Sequence, residues 1–189
     1  MAITLQPARP VTDEELLELS KRNPGYQFER TAKGDLVVTP TGSESGHREA
    51  ELAKQLSTWA DRDRRGLVFS SAGGFRLPDG ALHAPDASWV RRDRWVALSP
   101  EERRGFAPLC PDAVFEIRPE SQSPDELREK IFIYVANGAR LAVLIDPARR
   151  TVEVYRAGRE PVIHTDPGSL ALDPELPAFV LDLGPLFEP

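Results

Sequence analysis

Residues 113–146 constrain the fold of this chain most tightly. AVFEI (113–117) is a nearly continuous apolar run of the kind buried at the centre of a sheet. SPDELREKIFIYVANGA (123–139) follows as a helix, with Ser123 as N-cap, Glu126 at the capping-box position and Asn137-Gly138 as the stop. LAVLID (141–146) is then a second apolar strand. Two buried strands joined through a capped helix need a sheet with helices against it, so an α/β layer architecture is expected.

The rest of the order agrees with this expectation. TDEELLELSKRNPG (12–25) reads as a short helix, with Thr12 as N-cap, Glu15 completing the box and Pro24-Gly25 closing it. YQFERTAKGDLVVTP (26–40) alternates about a Lys33-Gly34-Asp35 turn and reads as a hairpin. SESGHREAELAKQLSTWADRDRR (43–65) is a helix of about five turns that Gly66 should end. Short strands are expected at LVFSS, GFRLP and PDASWV, and residues 92–111 read as an irregular loop. TVEVYR and PVIHT should pair around Ala157-Gly158, and LPAFVLDLGPLF reads as an irregular apolar strap. The whole predicts one domain over residues 1–189, an α/β sandwich whose mixed central β-sheet is flanked by the two long helices.

Composition narrows the function classes. The single cysteine, Cys110, excludes an internal disulfide framework and fits a reducing compartment. No run approaches the roughly 18 apolar residues of a membrane helix, and MAITLQPARPVTDEE lacks the apolar centre of a signal peptide, so a cytoplasmic protein with no membrane partner is expected. A net charge of -6 argues against a protein that merely coats nucleic acid. Arginines nevertheless cluster in DRDRRG (61–66), WVRRDRW (89–95) and EERRG (101–105), either as solvated, ion-paired surface or as a basic face beside an acidic pocket. Only four of the 24 basic residues are lysines, at 21, 33, 54 and 130.

The acids carry the chemistry. Asp86 opens the DASWV strand and Glu116 lies near the end of AVFEI. If these strands are neighbours, their backbones run about 4.8 Å apart and the two carboxylates could share one hard cation. Asp112 precedes Glu116 by four residues, about 13 Å along a strand, which is too far to share an ion, and Asp79 in PDG reads as a turn residue. On the long helix, at about 100° per residue, Glu49 falls inside the apolar arc of Leu52, Leu56, Trp59 and Ala60, whereas Glu51 and His47 point to solvent. A carboxylate on a buried face needs a metal or a counterion, so Glu49 is either a site residue or the partner of an arginine. The residue two after Glu116 is Arg118, and the first lysine comes only at Lys130. On its helix Lys130 flanks the buried arc of Leu127, Ile131, Tyr134 and Val135, from which its stem could reach the sheet edge. An i to i+4 pair with Glu126 is the competing reading.

YQFERTAKGDLVVTP, APDASWV, CPDAVFEI, LREKIFIYVANGAR and LAVLIDPARRTVEVYRAG, in that order, resemble the PD-(D/E)XK nuclease superfamily, and within it a restriction-endonuclease-like family of small bacterial proteins. The resemblance covers roughly residues 26–160. It implies a restriction-endonuclease-like sandwich in which Asp86 and Glu116 bind metal, with Glu49 anchoring that ion or a second one. It also implies that the catalytic lysine has moved from the strand to the following helix, where Lys130 stands. Arg118, in the old lysine position, is then an auxiliary. The implied reaction is phosphodiester hydrolysis with Mg²⁺ or Mn²⁺. The implied partner is nucleic acid, DNA first, with a homodimer as the arrangement that makes two cuts in a duplex. The arginine clusters would bind flanking phosphates. A nuclease fold kept as a binding module without turnover is the alternative.

Overall fold

The structure, a computed structural model, describes residues 2–188. In chain order the elements are β1 (Ile3–Leu5), α1 (Asp13–Arg22), β2 (Tyr26–Arg30), β3 (Leu36–Pro40), α2 (Ser43–Asp63), β4 (Gly66–Ser70), β5 (Phe75–Arg76), β6 (Leu82–His83) and β7 (Ala87–Arg91). They continue with α3 (Arg92–Val96), β8 (Ala113–Ile117), α4 (Pro124–Ala136), β9 (Leu141–Asp146), β10 (Thr151–Arg156), β11 (Val162–Thr165), β12 (Ser169–Ala171), β13 (Val180–Asp182) and α5 (Gly184–Phe187).

The central sheet has six strands in the order β11-β10-β9-β8-β7-β4. It is mixed: β8 and β9 are parallel, joined through α4, and the other neighbours are antiparallel. Strand alternation divides its side chains between two cores. Phe115, Val143, Val152 and Trp89 face α2, where they meet Leu52, Leu56 and Ala60. Val114, Ala142, Leu144 and Val90 face α4, where they meet Leu127, Ile131 and Tyr134. Each leucine withdrawn fully from water contributes about 1.5–3 kcal/mol, so the two helices are fixed from opposite sides.

A second sheet, β1-β3-β2-β6-β5, stands beside the first. Phe28, Leu36, Val38 and Leu82 pack against Leu16 and Leu19 of α1. The opposite face of β2 carries Gln27 and Glu29 into a cleft between the sheets.

The capping expectations hold: Thr12 with Glu15 and Ser123 with Glu126 form reciprocal capping boxes. Three expectations are corrected. Gly66 does not end α2; Arg64 does, at a left-handed φ of 59°. Gly66 begins β4, and its lack of a side chain is needed because a Cβ there would lie 2.3 Å from the Trp89 ring. Residues 92–111 are not wholly irregular, since β7 runs directly into the short helix α3. The C-terminal strap is ordered: β12 pairs with β13, α5 follows, and Phe179, Leu181, Leu183 and Leu186 lie buried in the core beneath α2. Two short strands, β1 and β6, carry too few residues to show a period.

Candidate active site

β7 and β8 run antiparallel with Ala87 opposite Phe115. One step further places Asp86 beside Glu116, both on the face turned toward α4. The Asp86 Oδ2 accepts a hydrogen bond from the Ile117 amide at 2.6 Å, which fixes the carboxylate against the end of β8. Glu116 is buried, and its Oε1 accepts from the Tyr134 hydroxyl at 3.0 Å.

Lys130 reaches this pair from α4. Its Nζ lies 2.8 Å from Glu116 Oε1 and 3.0 Å from Glu29 Oε1. The competing pair with Glu126 does not form, because the Glu126 carboxylate is engaged with the Ser123 amide in the capping box. Glu49 opens into the same cleft of about 500 Å³, as do Asp86, Glu116 and Lys130. It accepts a hydrogen bond from the Ser71 hydroxyl at 2.7 Å, and no arginine pairs with it among the described residues. Glu51 lies outside the cleft, engaged with Lys54 and Gln55. The helical phase therefore separated these two acids correctly, although Glu51 is covered by its own helix neighbours rather than freely solvated.

Arg118 is not brought into this group. Its Nε and Nη2 hold Asp146 at 2.7 and 3.0 Å, and its Nη1 donates to the carbonyls of Gln122 and Pro119. Buried on the same face of the sheet, it clamps the loop between β8 and α4 to the end of β9. Four of its five N–H donors are engaged there, away from the acid cluster, and the auxiliary role expected from its sequence position has no geometric basis. Asp112 is likewise structural, accepting from the Arg91 amide and pairing with Arg94 at the other end of the strand. Asp79 holds its turn through the Ala81 amide.

Sequence reasoning missed two members of the site. Glu29, on β2, accepts from the Ala84 amide at 2.7 Å as well as from Lys130. His83 is buried beside it, with Nδ1 3.4 Å from Glu29 Oε1, and its ring meets Tyr134 edge-on. The His83 Nε2 has no hydrogen-bond partner among the described residues.

The electrostatics divide the acids into two kinds. Burial would raise Glu29, but the Lys130 ammonium and His83 outweigh it and hold its carboxyl down to about 2. Asp86 goes the other way: burial and the neighbouring Glu116 and Glu49 charges push it well above the usual carboxylate range, against the pull of Lys130. Burial also raises Glu116 and Glu49. Lys130 itself is shifted upward, because Glu116, Glu29 and Asp86 outweigh its burial, and so it stays protonated. One ammonium serves several carboxylates, and Asp86 and Glu49 have no cation within ion-pair reach among the described residues.

Such a group of hard oxygen donors suits a divalent cation in kind. In arrangement the fit is partial, since among the described residues no three acidic, histidine or cysteine side chains converge as a ready-made metal cage. Asp86 and Glu116 form an adjacent pair, with Glu49 across the cleft.

A family model described as "Uma2: Putative restriction endonuclease" matches residues 13–184. Among solved structures, a protein described as a "putative nuclease" from Anabaena variabilis superposes with a TM-score of 0.73 at 23% identity, covering 94% of this chain and 98% of that one. At that identity the likeness speaks for the fold, a nuclease-type α/β sandwich. No curated protein sequence matches. Among the described residues no helix is long and apolar enough to cross a membrane.

Proposed function

This chain belongs to the Uma2 family, and on that premise we propose that it is a metal-dependent endonuclease that hydrolyses phosphodiester bonds of nucleic acid, DNA first. The observation that carries this reading is the Asp86 and Glu116 pair at the end of two antiparallel strands, with the Lys130 ammonium 2.8 Å from Glu116.

Asp86 and Glu116 would hold Mg²⁺ or Mn²⁺, with Glu49, in the same cleft, as the third acid toward the ion. When bound, the ion would polarise the phosphoryl oxygen and lower the pKa of an attacking water. The chain's own residues supply the rest. A lysine this strongly protonated is a poor base, so Lys130 acts as a fixed positive charge and donor toward the phosphate, where charge builds in the transition state. Glu29 keeps that ammonium charged and aimed across the cleft. Tyr134 and the Ile117 amide hold Glu116 and Asp86 in place.

The test is nicking of supercoiled plasmid in Mg²⁺ and Mn²⁺ by the wild type, Asp86→Ala and Lys130→Met. The expected result is cleavage by the wild type, none by Asp86→Ala, and at least about a 10²-fold slower rate in Lys130→Met with metal affinity nearly kept. A wild type that cleaves neither DNA nor RNA with either metal gives way to the binding-module reading. The pairing of Lys130 with two carboxylates favours that reading in one respect, since its charge is already satisfied without substrate.

A further inference from the structure

A second cleft, of about 740 Å³, opens at the other end of β7 and β8. Arg91 follows Asp86 by five residues, so the two sites stand about 17 Å apart along the strand. Five backbone segments line this cleft: the turn after α2, the step from β7 into α3, the start of β8, the start of β9, and the loop of Pro174 and Glu175 between β12 and β13. They are tied to one another, the Arg92 amide donating to the Arg65 carbonyl at 2.7 Å and the Arg140 amide to the Asp112 carbonyl at 2.9 Å. The Arg92 Nε also donates to the Arg64 carbonyl at 3.0 Å, so its guanidinium is anchored on one edge.

The charges of the wall do not cancel. Each of its acids already has an arginine: Asp93 has Arg91, Asp112 has Arg94, and Glu175 has Arg156. Arg64, Arg92 and Arg140 have no acidic partner within ion-pair reach among the described residues. Trp89, Val96 and Pro174 supply apolar wall between them. Three guanidiniums without counterions around a preformed hollow of small-molecule size are a site for an oxyanion that several forked donors can share.

We propose that this cleft binds the phosphate groups of a ligand, separately from the acid pocket. The phosphates could belong to a free nucleotide or to a nucleic-acid backbone, two sources with the same recognition chemistry. A volume of about 740 Å³ is the size that encloses a small molecule, which favours the nucleotide.

Metal-free calorimetric titrations of the full chain with pyrophosphate, ADP and a short blunt DNA duplex test this. The wild type is compared with Arg92→Gln/Arg140→Gln, with Arg140→Glu as a second variant, and with Glu116→Gln, which alters only the acid pocket. All lie at the surface except Glu116, and circular dichroism checks that each is folded. The expected result is saturable binding of pyrophosphate and ADP that weakens at least about tenfold in both arginine variants, as loss of charge-assisted hydrogen bonds implies, and is unchanged in Glu116→Gln. Binding of the duplex alone, weakened in the same way, assigns the phosphates to nucleic acid and keeps the site. Equal affinity in wild type and arginine variants, or no binding of any of the three probes, overturns the proposal while leaving the nuclease reading untouched.

Discussion

Asp86 is costly where it stands. It is half-buried beside Glu116 and within the field of Glu49, and its carboxyl is raised well above the ordinary range by burial and by those two charges. A group whose folded pKa lies above its unfolded value destabilises the fold at any pH where it is ionised, and that cost fades as pH falls through the folded pKa. In metal-free protein, Asp86→Asn is therefore expected to be more stable than wild type at pH 8, by about 1 kcal/mol or more, or a few degrees in Tm. The gap should narrow by pH 5. Melting curves with EDTA at the two pH values measure it, and a variant less stable at pH 8 would show the charge to be compensated. Glu29 has the opposite sign. Held down to about 2, it contributes stability above its unfolded value, near 4.5, that is lost as pH falls toward 2. Glu29→Gln strips one carboxylate from a buried ammonium and should destabilise by about 3 kcal/mol at pH 7, read as a drop in the urea midpoint.

Elements with a clear period were legible, and the site followed from them. Glu49 and Lys130 could be placed because α2 and α4 are long enough to give a phase, and Asp86 with Glu116 because both adjoin apolar strands. Glu29 could not be placed. In YQFER it occupies the polar position of an alternating strand, which ordinarily faces water, and only the docking of the second sheet against the first turns that face into a cleft. His83 sits in a strand of two residues, too short for any pattern. Arg118 failed for a related reason: alternation put it on the same face as Glu116, but Asp146, far along the chain, claims its guanidinium. The loop before α4 depends on that clamp. Arg118→Ala leaves Asp146 with the Arg149 amide at 3.1 Å and, as its one remaining cation, the distant Arg149 guanidinium at 3.8 Å, and should cost about 3–5 kcal/mol in stability. Denaturant titration checks the loss. Below the melting range, plasmid nicking should fall far less than in Lys130→Met; equal losses would restore an auxiliary part for the arginine.

At the scale of the molecule, the site is a joint. Asp86 and Glu116 come from the central sheet, Glu49 and Lys130 from helices on its opposite faces, and Glu29 from the second sheet. Cohesion of the layers therefore bears on the geometry of the site even where no site residue is touched. Leu183, fully buried beneath α2, illustrates this. Leu183→Ala is expected to cost about 2–5 kcal/mol, and activity should be lost along the same temperature curve as the circular dichroism signal. The ordered C-terminal strap has a further consequence for biosynthesis. The apolar underside of α2 and of the central sheet is closed by residues 176–187, which are translated after the elements they cover. Until they emerge, a nascent chain must carry that surface uncovered, so a ribosome stalled near residue 170 would display a sticky, chaperone-binding intermediate rather than a partly folded sandwich.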